Sequence, residues 1–250
     1  MPVSPPVHAT ELQILYRDEH LVAVNKPSGL LVHRSEIDRH ETRFAMQIVR
    51  DQIGRRVFPV HRLDKPTSGV LLFALNAQAA ARMMDLFSAG GIGKTYLAVV
   101  RGWAPEELVI DHPLVEEDRP PSEVQPARVQ PAQPAITRLR RLATVELPLP
   151  SGPHPTSRYS LVELQPQTGR RHQLRRHMKH LFHPIIGDTT HGDGRHNALF
   201  RSEFDCARLL LAAVRFGFLH PHTGSFLEIR APLDGDFMLV LARLGWEGVV

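Results

Sequence analysis

The chain has 250 residues, 42% of them hydrophobic, which is enough to bury a substantial core in one large domain or two small ones. Its formal charge of +4 and pI near 9.6 favour an anionic partner such as nucleic acid. The single cysteine, Cys206, excludes an intramolecular disulfide and cysteine-rich zinc or iron–sulfur sites.

The cationic side chains are nearly all arginine, because only four of the 30 are lysine. The planar fork of arginine suits phosphates and base edges, although a genomic preference for arginine codons would give the same count. Residues 1–10 are proline-rich and are predicted to be a mobile tail before a single domain over residues 11–250. The sequence shows no signal-peptide pattern and no apolar stretch of membrane-spanning length, so we expect a cytoplasmic protein.

The first half of the chain alternates strand and helix patterns. The runs LQILY and LVAVNK predict a hairpin. The segment ETRFAMQIVRDQI predicts a helix with Phe44, Ile48 and Ile53 on its buried side, ending at Gly54. A buried strand is expected over residues 70–75, VLLFAL, then a helix over NAQAAARMMDLFSAG and a strand over KTYLAVVRGW.

The second half is interrupted early. Residues 116–135 hold five prolines and almost no large apolar side chain, which predicts a flexible excursion within the domain. TRLRRLATVEL and TSRYSLVEL predict antiparallel partners, RFGFLHPHTGSFLEIR a further hairpin, and DFMLVLARLGW a closing helix. The sum is an α+β fold, with a mixed, largely antiparallel sheet and flanking helices.

The stretch HRLDKPTSG, residues 61–69, places Asp64 between two cations directly before the predicted buried strand. Asp, Pro, Ser and Gly are common in turns, so Asp64 as a turn residue is one interpretation. The other is a reactive carboxylate that its neighbours hold ionised and supply with an anionic partner. The stretch by itself leaves both open.

The segment TGRRHQLRRHMKHLFHP, residues 168–184, predicts a basic helix that follows Gly169 and ends at Pro184. Leu174, Met178 and Leu181 share one face at helical spacing. No acid lies between Glu163 and Asp188, so like-charge neighbours one turn apart oppose the helix unless an anion meets it. The cations are Arg170, Arg171, Arg175, Arg176 and Lys179.

Three functions fit this helix. It could be a solvated basic face, a phosphate-binding surface, or a metal site built on His177, His180 and His183. The flanking guanidinium groups oppose a bound dication, which leaves phosphate binding favoured. Arg175, at the edge of the apolar face, is placed to pair with a half-buried acid such as Asp64.

Five motifs in order resemble those of the RluA-type pseudouridine synthases: NKPSGLLVH, HRLDKPTSG, KTYLAVVRG, LQPQTGRRHQLRRHM and HPIIGD. The resemblance spans residues 12 to 240 and implies the catalytic fold of that family, which isomerises a uridine of RNA to pseudouridine without cofactor or metal. HRSEIDRHET, LATVELPLP and HPIIGDTTHGDGRHN are most similar to members that modify uridine 65 of tRNA and lack an S4-like RNA-binding domain. We therefore expect a tRNA substrate, no S4 domain, no protein partner and a monomer.

The resemblance also implies residue roles. Asp64 would be the nucleophile, Tyr96 would stack on the target base and serve in proton transfer, and Arg175 would pair with Asp64. Arg62 would occupy the space that the flipped nucleotide leaves in the RNA. RNA contacts are expected from Arg170, Arg171, Arg176 and Lys179. One departure is that Ala212–Ala213 follows the Leu209–Leu211 run, where the family often has His-Ala.

Three alternatives follow from the residues. Ribosomal RNA synthases of the same family share these motifs. A glycoside or nucleoside hydrolase needs two carboxylates across the scissile bond, and Asp188 or Asp193 would supply the second. A non-catalytic RNA-binding module would explain the basic helix but would have no use for Asp64.

Overall fold

The computed structural model describes residues 11–33, 42–116 and 131–250, which form two compact units. The first unit comprises the described residues up to Ile92 together with Ala213–Pro232, and the second comprises the described residues of 93–212 and 233–250. The predicted tail at 1–10 and residues 117–130 of the predicted excursion lie outside the described residues. The expectation of one catalytic domain stays a prediction.

The elements follow one another as strands and helices of short to moderate length. The strands are β1 (Gln13–Arg17), β2 (Leu21–Lys26), β3 (Phe58–Pro59), β4 (Ser68–Ala74), β5 (Ile92–Arg101), β6 (Glu107–Asp111), β7 (Ile136–Leu147), β8 (Ser157–Pro166), β9 (Leu211–Leu219) and β10 (Phe226–Arg230). The helices are α1 (Ala45–Ile53), α2 (Ala77–Ser88), α3 (Gln173–His180), α4 (Gly194–Phe204) and α5 (Gly235–Arg243). None of the helices in the described ranges is long and apolar enough to span a membrane.

In the first unit β2 pairs antiparallel with β1 on one side and with β4 on the other, and β9 pairs antiparallel with β10. Both predicted hairpins are therefore confirmed. Every residue of β4 is buried, which confirms the apolar run as a core strand. Asn76 begins α2 by accepting a hydrogen bond from the backbone N–H of Ala79, and Ala79 and Met83 pack inward.

Helix α1 ends at Gly54, in a left-handed conformation, as predicted. Phe44 is buried as expected, but Ile48 and Ile53 are only half-buried, and Ala45 and Val49 supply the rest of the buried face. The side chain of Gln52 ties the same side of the helix to the residue that precedes β1. It donates to the carbonyl of Leu12 at 2.9 Å and accepts from the same residue's N–H at 3.0 Å.

In the second unit the strand order is β5–β8–β7–β6, with each neighbouring pair antiparallel. The predicted pairing of TRLRRLATVEL with TSRYSLVEL is confirmed as β7 with β8. Strand β6 and helix α4 were not predicted. The α4 sequence, GRHNALFRSEF, mixes polar and apolar residues, and its clearest signal is Asp193, which caps the helix.

Helix α3 is shorter than the basic helix predicted from the sequence. His172, with φ of 54°, lies before it, so Arg170 and Arg171 fall outside the helix, and the prediction that the helix includes them is wrong. The apolar face is confirmed, because Leu174 and Met178 are buried in the core of the second unit. Histidine, like Asn and Asp, is enriched among the non-glycine residues that adopt the left-handed region, but this preference is too weak to predict the break at His172 from sequence.

Candidate active site

Asp64 is half-buried on the loop that enters β4. Its carbonyl oxygen accepts a hydrogen bond from the N–H of Thr67 at 3.0 Å, which closes a turn around Lys65 and Pro66. Asp64 therefore does sit in a turn, as the first interpretation of the sequence required. The turn fixes its backbone at the mouth of a fully buried strand.

A buried ammonium group ties this turn to the NKPSG loop. The Nζ atom of Lys26 donates to the carbonyl oxygens of Pro27 at 2.9 Å, Leu30 at 2.7 Å and Lys65 at 3.1 Å. A buried charge is costly unless such groups satisfy it, and here three carbonyls surround one ammonium. Because Lys65 follows Asp64 directly, Lys26 holds the backbone beside the carboxylate in place.

Two further bonds join the same loops. The N–H of Gly29 donates to the carbonyl of Lys65 at 2.9 Å, and the hydroxyl of Ser28 donates to the carbonyl of Pro66 at 2.8 Å. Hydrogen bonds therefore join the KPSG and DKPTSG loops to each other at several points.

Gly69 lets the chain pass from this loop into the sheet. Its φ is +109°, and a Cβ placed on it would lie 2.8 Å from the amide nitrogen and 2.7 Å from the carbonyl carbon of Ala213, and closer still to the carbonyl oxygen. All three are backbone atoms, so no side chain could move aside. Ala213 keeps the alanine of the family's His-Ala pair, so the residue that departs from the pattern is its neighbour, Ala212.

His61 begins the motif and has a structural role. Its Nε2 accepts the N–H of Leu72 at 3.0 Å, and its ring lies between Phe87 and Phe216 at centroid distances of 5.2 and 5.0 Å. Arg62, the next residue, is exposed. Burial, with a smaller contribution from the positive charge of Arg62, lowers the pKa of His33.

In the second unit Tyr96 lies on β5 opposite Leu164 of β8 and is half-buried. It packs against the apolar cluster that includes Leu174 and Met178 of α3. Tyr96 and the helix that carries Arg175 thus rest on the same core, which orients them relative to each other.

Arg175 is buried and forms a two-pronged ion pair with Asp188. Its Nε lies 2.7 Å from Oδ2 and its Nη2 lies 2.8 Å from Oδ1. Burial by itself would raise the pKa of Asp188, but hydrogen bonds from Arg175 and from the N–H groups of His191 and Thr190 outweigh it, so the pKa lies below its ordinary value. A guanidinium has five N–H groups and this pair uses two, so the expected pairing with Asp64 stays a prediction.

Sequence reasoning missed Asp188 as the partner of Arg175. It was considered only as a second carboxylate for a hydrolase, although it is the first acid after the basic segment and ends the HPIIGD motif. Gly187 before it has φ of +80°, and a Cβ there would collide with the carbonyl of Arg208. The side chain of Asn197 bridges the turn, accepting from the N–H of Gly187 and donating to the carbonyl of Asp188, both at 2.8 Å.

The other predicted RNA-binding residues divide into two groups. Arg170 and Arg176 contact protein carbonyls, since Nε of Arg170 donates to Pro134 at 3.1 Å and Nη1 of Arg176 to Val115 at 2.8 Å. Arg171 and Lys179 are exposed. RNA contact by all four stays a prediction.

The histidines of α3 do not converge on one point. His177 is buried, with Nδ1 3.0 Å from the hydroxyl of Thr137 and Nε2 3.1 Å from the carbonyl of His112, and burial lowers its pKa. His183 bonds the carbonyl of Arg101. Within the described ranges no group of three or more His, Cys, Asp or Glu side chains could hold a metal ion.

Comparison with known proteins identifies the class. Residues 20–180 match the RNA pseudouridylate synthase family, and these residues include the Asp64 loop, Tyr96 and Arg175. The chain therefore belongs to the RNA pseudouridylate synthase family, as the motif resemblance implied.

Relatives extend the match over nearly the whole chain. Over 236 aligned residues the chain is 55% identical to tRNA pseudouridine synthase C of Vibrio cholerae. The alignment covers 94% of this chain and 97% of that protein. Two solved human structures, RNA pseudouridylate synthase domain containing 1 and 4, superpose with TM-scores of 0.70 and 0.69 at 26% and 28% identity. They cover 91% and 93% of this chain, and 86% and 93% of their own. The predicted α+β fold class is confirmed.

Proposed function

We propose that this protein isomerises uridine 65 of tRNA to pseudouridine, with Asp64 as the nucleophile. The observation that carries the proposal is the family motif at residues 61–69, whose carboxylate sits on a loop fixed by a buried lysine. A turn residue alone would not require a second loop and a buried ammonium to hold it. The strong similarity to proteins named tRNA pseudouridine synthase C supports tRNA as the RNA substrate.

The chemistry needs an ionised carboxylate at a fixed position. The N1–C1′ bond of the target uridine breaks, the uracil turns, and a bond forms between C5 and C1′. A carboxylate can attack as a nucleophile or stabilise positive charge at C1′, and either role requires a rigid backbone. The hydrogen on C5 leaves to solvent as a proton and N1 takes up a proton in its place, so each turnover is a net isomerisation that releases the hydrogen of C5.

Tyr96 and Arg175 would complete the reaction. We assign to Tyr96 the stacking contact with the extruded uracil and the proton transfer from C5. We assign to Arg175 the pairing that keeps Asp64 ionised, with Asp188 holding the guanidinium in a fixed orientation through its two bonds. Arg62 would fill the gap in the RNA, and the remaining cations would bind phosphates. The protein would act as a monomer in the cytoplasm.

The hydrolase alternative requires Asp188 or Asp193 as its second carboxylate, and both side chains are already bound to other groups of the protein. Asp188 is engaged by Arg175, and Asp193 pairs with Arg101 at 2.6 Å while it caps α4. Burial opposes ionisation of Asp193, yet the bonds from Arg195 and Arg101 lower its pKa. Both acids therefore have structural partners.

The test is tritium release from uridine-5-tritiated tRNA and, in parallel, ribosomal RNA transcripts. Wild type, Asp64→Asn and Asp85→Asn are compared, the last removing an exposed carboxylate from the same unit. We expect release from tRNA by wild type and Asp85→Asn only, mapped to uridine 65.

Other results would redirect the proposal. Release from ribosomal RNA alone would keep the mechanism and reject tRNA. Free uracil in the supernatant would indicate a hydrolase. RNA binding by all three proteins with no tritium release would leave an RNA-binding module.

A further inference from the structure

Phe182 combines two unfavourable features at the end of α3. It is 78% exposed, and its φ of 60° places it in the left-handed region. Its N–H donates to the carbonyl of Lys179 and the N–H of His183 donates to that of Met178, both at 2.9 Å. This is the helix-ending pattern whose left-handed position is normally glycine.

Nothing in the fold of the described residues accounts for phenylalanine at this position. It strains the backbone where glycine would not, and its ring packs into no core. The position is nevertheless rigid, because Nη2 of Arg101 donates to the carbonyl of Phe182 at 2.9 Å while Nη1 bonds Asp193. A ring held outward in solvent on a fixed backbone fits a contact surface.

The neighbourhood suits nucleic acid. Lys179 and His180 are exposed on the last turn of α3, and His183 bonds the carbonyl of Arg101 at 2.8 Å. Trp103, two residues after Arg101, is 47% exposed, and the guanidinium carbon of Arg158 lies 4.3 Å from the centre of its ring. Exposed aromatic rings among cations are the features with which proteins stack on unpaired bases.

The two aromatic residues lie away from Tyr96. Arg101 is five residues further along β5, roughly 17 Å at the rise of a strand, and it holds Phe182. We propose that Phe182 stacks on an unpaired base of the RNA substrate other than the target uridine. This inference rests on the proposed function for its choice of RNA.

The experiment measures tRNA affinity in the Asp64→Asn background, where no turnover is expected. Phe182→Gly removes the ring and leaves the preferred residue for the backbone. One stacked base corresponds to roughly 5- to 160-fold in affinity, so Phe182→Gly should raise Kd at least about 5-fold. Its melting temperature should be equal to or above that of the parent, which separates the effect from misfolding.

Three controls sharpen the result. Phe182→Trp should bind within about twofold of the parent, since a larger ring stacks at least as well. Phe226→Ala, which removes a 67% exposed ring from the first unit, should also stay within about twofold. Lys179→Ala should reduce the slope of log Kd against log salt concentration by about one, because one phosphate contact is lost. Phe182→Gly should leave that slope unchanged.

Unchanged affinity in Phe182→Gly would overturn the inference. So would a concentration-dependent dimer of the parent that Phe182→Gly abolishes in sedimentation, because the ring would then contact protein. Affinity is measured without catalysis, so loss of binding in Phe182→Gly would support this contact even if wild type released no tritium and the proposed function failed.

Discussion

Replacing Gly69 by alanine tests whether the Asp64 loop depends on close approach of the chain at Ala213. The positive φ costs about 1–2 kcal/mol for any residue with a Cβ. The collision with the backbone of Ala213 adds about 1–3 kcal/mol, as for other overpacked sites, because neither strand can yield by moving a side chain. The free energy of unfolding should therefore fall by about 2–5 kcal/mol.

Gly29→Ala is the matched control. Its φ is +84°, but a Cβ there would meet nothing within 4 Å, so only the backbone cost of about 1–2 kcal/mol applies. Urea unfolding followed by circular dichroism gives both values. Tritium release per folded molecule should also drop more in Gly69→Ala, because the displaced strand carries the Asp64 turn. Equal destabilisation by the two substitutions would refute the argument from Ala213.

Other expectations concern buried charges and histidine. Lys26→Met should lower the unfolding free energy by about 3 kcal/mol or more, since three carbonyls lose their donor, as urea titration would show. Asp188→Asn should cost about 3–5 kcal/mol at pH 7 by stranding Arg175. Because the folded pKa is lowered, this advantage of wild type should begin to shrink below about pH 3.8 and be lost as the pH falls through the lower folded value, so an advantage that stays constant or grows on acidification would contradict it. His177 has a lowered pKa, so wild type should lose stability as the pH falls below 6.5 through the folded value, in thermal melts from pH 8 to 5. His177→Gln should weaken that dependence, whereas His154→Gln, at an exposed site, should retain it.

Sequence patterns predicted the strands well because their apolar runs are long and bounded by turn residues, as β4 and the hairpin of β1 and β2 illustrate. They were less successful at α1, where Ile48 and Ile53 are only half-buried. The side chain of Gln52 on this helix instead binds Leu12, 40 positions away, through two bonds, and no local period contains that information.

At the candidate site, too, local motifs were informative and contacts between distant residues were not predictable. Motifs predicted Asp64, Tyr96 and Arg175 as site residues, and those roles stay predictions; the contacts that hold the Asp64 turn and Arg175 come from residues distant in sequence. Lys26 reaches Lys65 over 39 positions, and Asp188 meets Arg175 from a separate turn. Spacing alone could not choose among the acids, although Asp188 was the first one after the basic segment.

The described stretches on either side of residues 117–130 are joined to each other. Leu114 and Gln133 exchange two backbone hydrogen bonds of 2.9 Å, and Arg176 and Arg170 donate to the carbonyls of Val115 and Pro134 beside them. Lengthening a chain between fixed ends costs little entropy, about 0.6 kcal/mol per doubling of length. An affinity tag or reporter inserted between these two stretches should therefore leave the folded units intact.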